Sequence, residues 1–469
     1  QFIGMSGSGF AIGMGIASYE WMAALTLIVV AIFFLPIFLE KKIFTMPQFL
    51  EMRFDKRVKT VMAIFWLLVF IFVNLTSIIY LGALAIQKIM GVPMIFGILG
   101  LAIFAAAYSI YGGLKAVAWT DVVQVVFLVG GGLVTTYFAL NYLSEGHGFF
   151  AGFKTLLQQV PEKFDMIIQK GTLMIPDGKG GVKDAYLDLP GISVLIGGMW
   201  VANLYYWGCN QYIIQRALAA KSVKEAQSGL VFASFLKILI PLIAVIPGIV
   251  AFALHADIAK SDEAYPWLLH NFVPAGVKGL AFAALAAAIV SSLASMMNSV
   301  STIFTMDIYR EFIDKKASEH KLVSVGRIAA LFALIIAVII APKLSNLDQA
   351  FQYIQEFTGF ISPGALAIFL AGFFYKKATA NGALASAVGT FVFSVLFKII
   401  TPSLPFIDRM GIVFLICLAI IWLFAKIEGN KVQAKSITIS KKLFETSKGF
   451  KIAATIVVII LIFLYAIWW

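Results

Sequence analysis

The stretch SGLVFASFLKILIPLIAVIPGIVAFA, residues 228–253, decides the fold. A helix needs about 20 apolar residues to cross the ~30 Å hydrocarbon core of a bilayer, and this one exceeds that with a single charge, Lys237. Eleven further apolar runs lie near 17–39, 60–86, 93–111, 118–142, 191–213, 279–305, 323–342, 350–374, 379–400, 409–425 and 452–468. Ahead of them, residues 1–13 are too short and glycine-rich to span. They are expected to be the tail of a thirteenth span whose start lies upstream, since the sequence opens on Gln1.

The 469 residues are 61% hydrophobic and 13% charged, where soluble domains carry about 25% charged residues. An all-α polytopic membrane protein is therefore expected, with no room for a separate soluble catalytic domain. The net charge of +12 is strung through short loops and forms no face for nucleic acid. Cys209 and Cys417 fall in or beside apolar runs and suggest no disulfide framework. The four histidines lack metal-ligand spacing, and no HExxH, Walker A or nucleophile-elbow pattern occurs. An integral membrane enzyme finds no chemistry here, and a passive channel differs from a carrier only by its flux.

Basic residues orient the spans. Loops on the side of 40–59 carry 24 of the 36 Lys and Arg, so that side is expected in the cytoplasm and the carboxyl terminus outside. Tyr465, Trp468 and Trp469 fit an interfacial aromatic belt. The 143–190 loop, with Pro-Asp-Gly-Lys-Gly-Gly at 176–181, reads as an extracellular connection holding a short helix near 150–160. Counting the truncated helix, five spans precede it and five follow before residue 375. Odd numbers force opposite orientations, which is the arithmetic of an inverted repeat. The expected units are 1–142, the loop 143–190, 191–375, and additional C-terminal helices over 376–469.

Several residues are out of place in oil. An unpaired Lys237 at this depth costs at least about 2.5–3.5 kcal/mol, so it needs a partner or a wet cavity, or else snorkels to the interface. Glu20, between Tyr19 and Trp21, and the Gln355-Glu356 pair are either interfacial or site groups. Asp121 reads as a cap near a helix start at 118, or as a cation waypoint. The small-residue run 284–299 brings Ser291, Ser292, Ser295, Asn298 and Ser299, whose oxygens suit either helix packing or a sodium ion shared with a broken helix. In 197–210, Gly197, Gly198 and Gly208 beside Asn203 and Asn210 make an uninterrupted helix doubtful, and an unwound centre is tolerated where it lines a cavity. There, Tyr206 or Trp207 offers a ring face and Asn203 an amide to a sugar.

The stretches QFIGMSGSG (1–9), YSIYGGLKAV (108–117) followed by Trp119-Thr-Asp, WVANLYYWG (200–208), FAALAAAIVSSLAS (282–295) and AFQYIQE (350–356) resemble the sodium/solute symporter family, and within it the galactose and glucose branch, over essentially the whole chain. The resemblance implies a LeuT-type fold: two inverted five-helix units plus additional C-terminal helices, in the bacterial inner (plasma) membrane. It implies sodium-coupled import of a neutral hexose, galactose or glucose, by alternating access. Another small solute, such as a sialic acid, an amino acid or a carboxylate, stays open. Implied hexose ligands are Gln1, Glu20, Asn203, Lys237 and Gln355, with Tyr206 stacking on the sugar, Trp207 nearby, and Met5, Tyr19 and Phe351 closing the outer side. Ala288, Ser291 and Ser292 would bind sodium, with Asp121 on its exit path. Ala23 replaces a serine that contacts sugar in that branch. The first broken helix, which would supply further ligands, precedes Gln1, so this fragment by itself is not expected to couple ion and sugar. Oligomeric state is open.

Overall fold

The computed structural model describes residues 2–43, 45–177, 181–346 and 349–469, those at 110–120 and 346 by backbone alone. Fourteen helical elements order the account: α1 (Phe2–Ala11), α2 (Met14–Glu40), α3 (Lys56–Met90), α4 (Met94–Leu143), α5 (Gly198–Leu204), α6 (Gln211–Leu218), α7 (Val223–Ala253), α8 (Ala275–Ile313), α9 (Glu319–Ser345), α10 (Ala350–Thr358), α11 (Ser362–Phe374), α12 (Ala380–Ile400), α13 (Phe406–Ile427) and α14 (Lys448–Ile467). Among the described residues nine helices are long and apolar enough to cross a membrane, ten when the bent pair α10 and α11 counts as one. The two remaining runs of the twelve, 93–111 and 191–213, are helical but short or interrupted.

Runs 93–111 and 118–142 both fall within α4, and the flanks of 110–120 run in opposite directions along α8. Leu101 and Ile289 both meet Gly82, and Ser109 Oγ lies 3.4 Å from Asn298 Oδ1. Beyond 120, Asp121 returns to Ser291 and Gly131 to Ala281. The chain therefore doubles back between Ser109 and Asp121, and Asp121 stands at the start of the returning limb with its carboxylate taken by Ser291 and Arg216.

The glycines of α1 allow it to lie directly against α7. A Cβ on Gly9 would come within 2.6 Å of the Val245 carbonyl oxygen, and one on Gly248 would overlap the Ser6 carbonyl oxygen. Backbone-to-backbone packing of this kind is how small residues join helices in lipid. Ser8 Oγ donates to Gln349 Oε1 at 3.2 Å, and Asp262 Oδ2 accepts from the Ala350 amide at 2.8 Å, which fixes the start of α10 against α1.

Both sides of the bundle cap helices with buried cations. Arg53, 1% exposed, donates to Gly372 O, Tyr375 O and Ala378 O at the end of α11, satisfying carbonyls the helix leaves orphaned. Burial without a carboxylate partner lowers its pKa to about 10. In the sequence Arg53 counts only as one of the basic residues of the 40–59 loop. On the opposite side, the loop 143–190 contains the expected short helix, Phe149–Gln159. It also contains a hairpin the sequence reading did not anticipate, Met174–Pro176 paired antiparallel with Val182–Asp184. Its Lys163 is 4% exposed and donates to the last carbonyls of α1, Phe10 O at 3.1 Å and Ala11 O at 2.8 Å, 3.9 Å from the Phe252 ring centre.

Burial lowers the Lys163 pKa to about 8, against roughly 10.4 for a free lysine. Between those values the unfolded chain binds the extra proton, so this group's contribution to stability rises with pH. A neutral amine still has two N–H groups for the two carbonyls. In thermal melts of the solubilised protein, Tm from pH 8 to 10 should rise relative to a Lys163→Arg variant, which stays charged. Parallel curves would contradict this.

Candidate functional site

Helix interruptions converge on the centre of the bundle. The α5 helix passes at Tyr205–Cys209 into a wider π turn and stops at Asn210, whose backbone is extended and whose side chain caps α6. Gly208 leaves the room: a Cβ there would meet the Phe34 ring of α2 at 2.5 Å. Helices α10 and α11 meet at a 45° bend, and α3 carries another π turn, Phe70–Leu75. Irregular backbone at membrane depth is tolerated where it faces protein or a water-filled cavity.

A cavity of about 400 Å³ opens between these breaks, inside the roughly 300–1,000 Å³ range of small-molecule sites. Tyr19, Glu20 and Ala23 of α2, Asn203, Tyr206 and Trp207 of the interrupted helix, Ala288 and Ser292 of α8, and Phe351 and Gln355 of α10 all line it. Glu20 is the one charged side chain on the described lining.

Lys237 stands just behind that lining. Its Nζ lies 2.5 Å from Glu20 Oε2 and 4.4 Å from the Trp207 ring centre, with both charged residues under 10% exposed. The lysine is therefore paired, not snorkelling, and Glu20 is not interfacial. Pro241, four residues on, cannot donate to the Lys237 carbonyl, which loosens α7 at this level. Asn203 donates to Met199 O at 3.1 Å and accepts from Trp207 Nε1 at 3.2 Å. Tyr206 and Trp207 meet edge to face at 5.1 Å.

Tyr19 and Phe351 close one side of the cavity, edge to face at 5.1 Å. Met5, fully buried nearby in α1, is not on the lining. Gln1 lies outside the described residues. Toward the Lys- and Arg-rich ends of the spans, the lining continues through Tyr212, Ile213 and Met296. Ser291 points away from the cavity and donates to Asp121 Oδ1, while Asp121 Oδ2 pairs with Arg216 Nη2 at 2.8 Å. Of the sequence-derived residues, Lys237, Met5, Ser291 and Asp121 thus stand behind the wall. Glu356, beside Gln355, turns to Arg409 and Lys398 at 2.8 and 3.0 Å.

Residues that sequence reading passed over also line the cavity: Asn74 in the α3 π turn, Thr358, Ser362 and Met410. Asn74 carried a signal, as an amide inside the apolar run 60–86. Two of the C-terminal aromatics also pack on α2 with one face. Tyr465 OH donates to Ser18 Oγ at 3.2 Å, and Trp468 stacks on Trp21 with centroids 6.2 Å apart. They brace the turn of α2 that presents Tyr19 and Glu20; of the three proposed belt residues, Trp469 is the exposed one.

A helical membrane bundle with a cavity at its helix interruptions, apolar but for a few polar groups, is built as a secondary transporter. Residues 1–389 match the sodium:solute symporter family. Along its whole length the chain is 52% identical to the sodium/glucose cotransporter of Vibrio parahaemolyticus and covers 88% of that protein. It is 33% identical to mouse sodium/glucose cotransporter 4, over 86% of this chain and 61% of that one. A Na+-coupled sialic acid symporter solved in a substrate-bound outward-open state shares the fold, with TM-score 0.77 and 23% identity over 91% of this chain and 86% of that one. This chain belongs to the sodium:solute symporter family. Its fold is the LeuT type that the resemblance implied, and its work is transport across a membrane, not covalent chemistry.

Removing one member of a buried ion pair typically costs about 3–5 kcal/mol. Lys237→Met should therefore destabilise the solubilised protein by roughly that amount. The double variant Glu20→Gln/Lys237→Met should recover most of the loss. Additive losses in denaturation measurements would show that the two charges do not depend on each other.

Proposed function

We propose that the protein imports a neutral hexose, galactose or glucose, with sodium, by alternating access. The observation that carries this reading is the lining itself: one carboxylate, held by Lys237 behind it, with amides and aromatic rings set in an otherwise aliphatic wall. A carboxylate cargo would call for a fixed cation on the wall, and the described lining has none. A pyranose offers hydroxyls to Glu20, Asn203 and Gln355, and a CH face to the Tyr206 ring. Gln1 completes the hydrogen-bonding set, and Lys237 serves it from behind by orienting Glu20.

Sodium is cargo in this scheme and drives the cycle. Ser292 and the Ala288 carbonyl, with the Ser291 hydroxyl once it turns from Asp121, are the ligands this chain offers, and Asp121 lies on the way out. Sodium bound there favours the outward-facing arrangement because its affinity differs between the two states. Tyr19, Phe351 and Met5 form the outer gate, and Tyr206 with Trp207 the inner one. The basic side is cytoplasmic, which puts the carboxyl terminus outside the inner membrane. The repeats run 1–142 and 191–375, separated by the extracellular loop 143–190, with 376–469 additional.

Proteoliposomes holding the full-length protein should accumulate labelled galactose or glucose with sodium outside and not with potassium. Asn203→Ala should raise the sugar KM about tenfold, the worth of one or two hydrogen bonds. Ser292→Ala should remove the sodium dependence. Ala23→Ser, which returns a hydroxyl to the lining, should lower the galactose KM. Sodium-driven accumulation of an anionic solute in place of either sugar would overturn the hexose assignment.

A further inference from the structure

Ser291, Asp121, Arg216 and Ser295 form one hydrogen-bonded cluster behind the cavity wall. The Ser291 hydroxyl donates to Asp121 Oδ1. On the carboxylate's other oxygen, Arg216 places Nε at 3.1 Å and Nη2 at 2.8 Å. Nη2 also reaches Ser295 Oγ at 2.7 Å, and Nη1 reaches Tyr212 O at 3.2 Å. The guanidinium thus fastens α6 to both α4 and α8. Ser295 is fully buried and the Arg216 side chain is about one-third exposed, so the pair is only partly screened by water.

Two features make this more than a tether. Ser291 is adjacent in sequence to Ser292, which lines the cavity, so the hydroxyl that Asp121 holds is one the ion would use. Arg216 also sits on α6, the helix that directly follows the π turn carrying Tyr206 and Trp207. One chain of contacts therefore runs from the ion position to the inner gate.

We propose that Arg216 is a positioning residue that sets sodium affinity and links the ion site to the inner gate. Its guanidinium neutralises Asp121, which in turn keeps the Ser291 hydroxyl off the cavity. Without that charge the carboxylate would attract and retain a cation arriving beside Ser291. With it, sodium must recover Ser291 from Asp121 to bind, and meets a compensated carboxylate on leaving. This inference rests on the assignment of Ser291 and Ser292 to sodium made above.

The test is equilibrium sodium binding to the full-length protein in detergent, followed by tryptophan fluorescence at constant ionic strength with potassium as the balancing ion. Sugar KM is measured in parallel at saturating sodium. Arg216→Gln should lower the sodium Kd about three- to tenfold and slow turnover, with sugar KM unchanged. Asp121→Asn, which leaves the Arg216 charge unpaired beside the ion position, should raise the sodium Kd, and the double variant should lie between the two. Ser295→Ala, which removes only the guanidinium's anchor, should shift Kd in the same direction as Arg216→Gln but less, and serves if the arginine variant does not fold. A residue of merely structural importance would weaken sodium and sugar together. If Ser292→Ala weakens sodium binding while Arg216→Gln and Ser295→Ala leave Kd unchanged or raise it, the role of Arg216 is wrong and the ion site stands. If Ser292→Ala leaves sodium binding intact, the ion-site assignment fails and this inference fails with it.

Discussion

The buried pair between Glu20 and Lys237 is the constraint around which the site is arranged. A lone ammonium or carboxylate at that depth is costly, and two opposite charges 2.5 Å apart with almost no exposure relieve each other only if α2 and α7 are held in register. The register has visible causes. Gly248 brings α1 against α7, Trp21 donates to Ile238 O at 3.4 Å, and Trp468 and Tyr465 of the last helix hold Trp21 and Ser18. The carboxylate that faces the cavity is thus oriented from behind by three separate elements.

The second organising feature is where regular helix ends. Each break puts polar groups or ring faces on the cavity: Asn74 at the α3 π turn, Tyr206 and Trp207 at the Tyr205–Cys209 turn, and Gln355, Thr358 and Ser362 at the bend between α10 and α11. A continuous apolar helix has no free backbone groups to offer and no reason to bend. Breaks also let a segment move without unfolding its helix, the requirement alternating access places on the walls of a site.

Much of this was legible in the sequence, because hydropathy over 20 residues and charge in oil are local signals. The twelve apolar runs, the glycine interruption at 197–210 and the need of Lys237 for a partner could all be read directly. The partner itself could not, since Glu20 is 217 positions away and nothing in its neighbourhood distinguishes a site carboxylate from an interfacial one. Asp121 was read as a cap or a cation waypoint, and nothing local to it shows that its carboxylate is taken by Ser291 and Arg216. Its partner Arg216 read only as a positive-side loop charge. Tyr465 and Trp468 fit an interfacial belt by composition, and nothing local shows that one face of each packs on Trp21. These omissions share a cause: tertiary pairing leaves no trace in local pattern.

Transport of a neutral hexose requires that the cavity beside Glu20 and Tyr206 receive the sugar. The most direct test is an experimental structure of the full-length protein with sodium and galactose or glucose. A pyranose ring should lie against Tyr206, with hydroxyls on Glu20, Asn203 and Gln355. A sugar bound elsewhere, or a cavity filled only by solvent under saturating sugar and sodium, would contradict it.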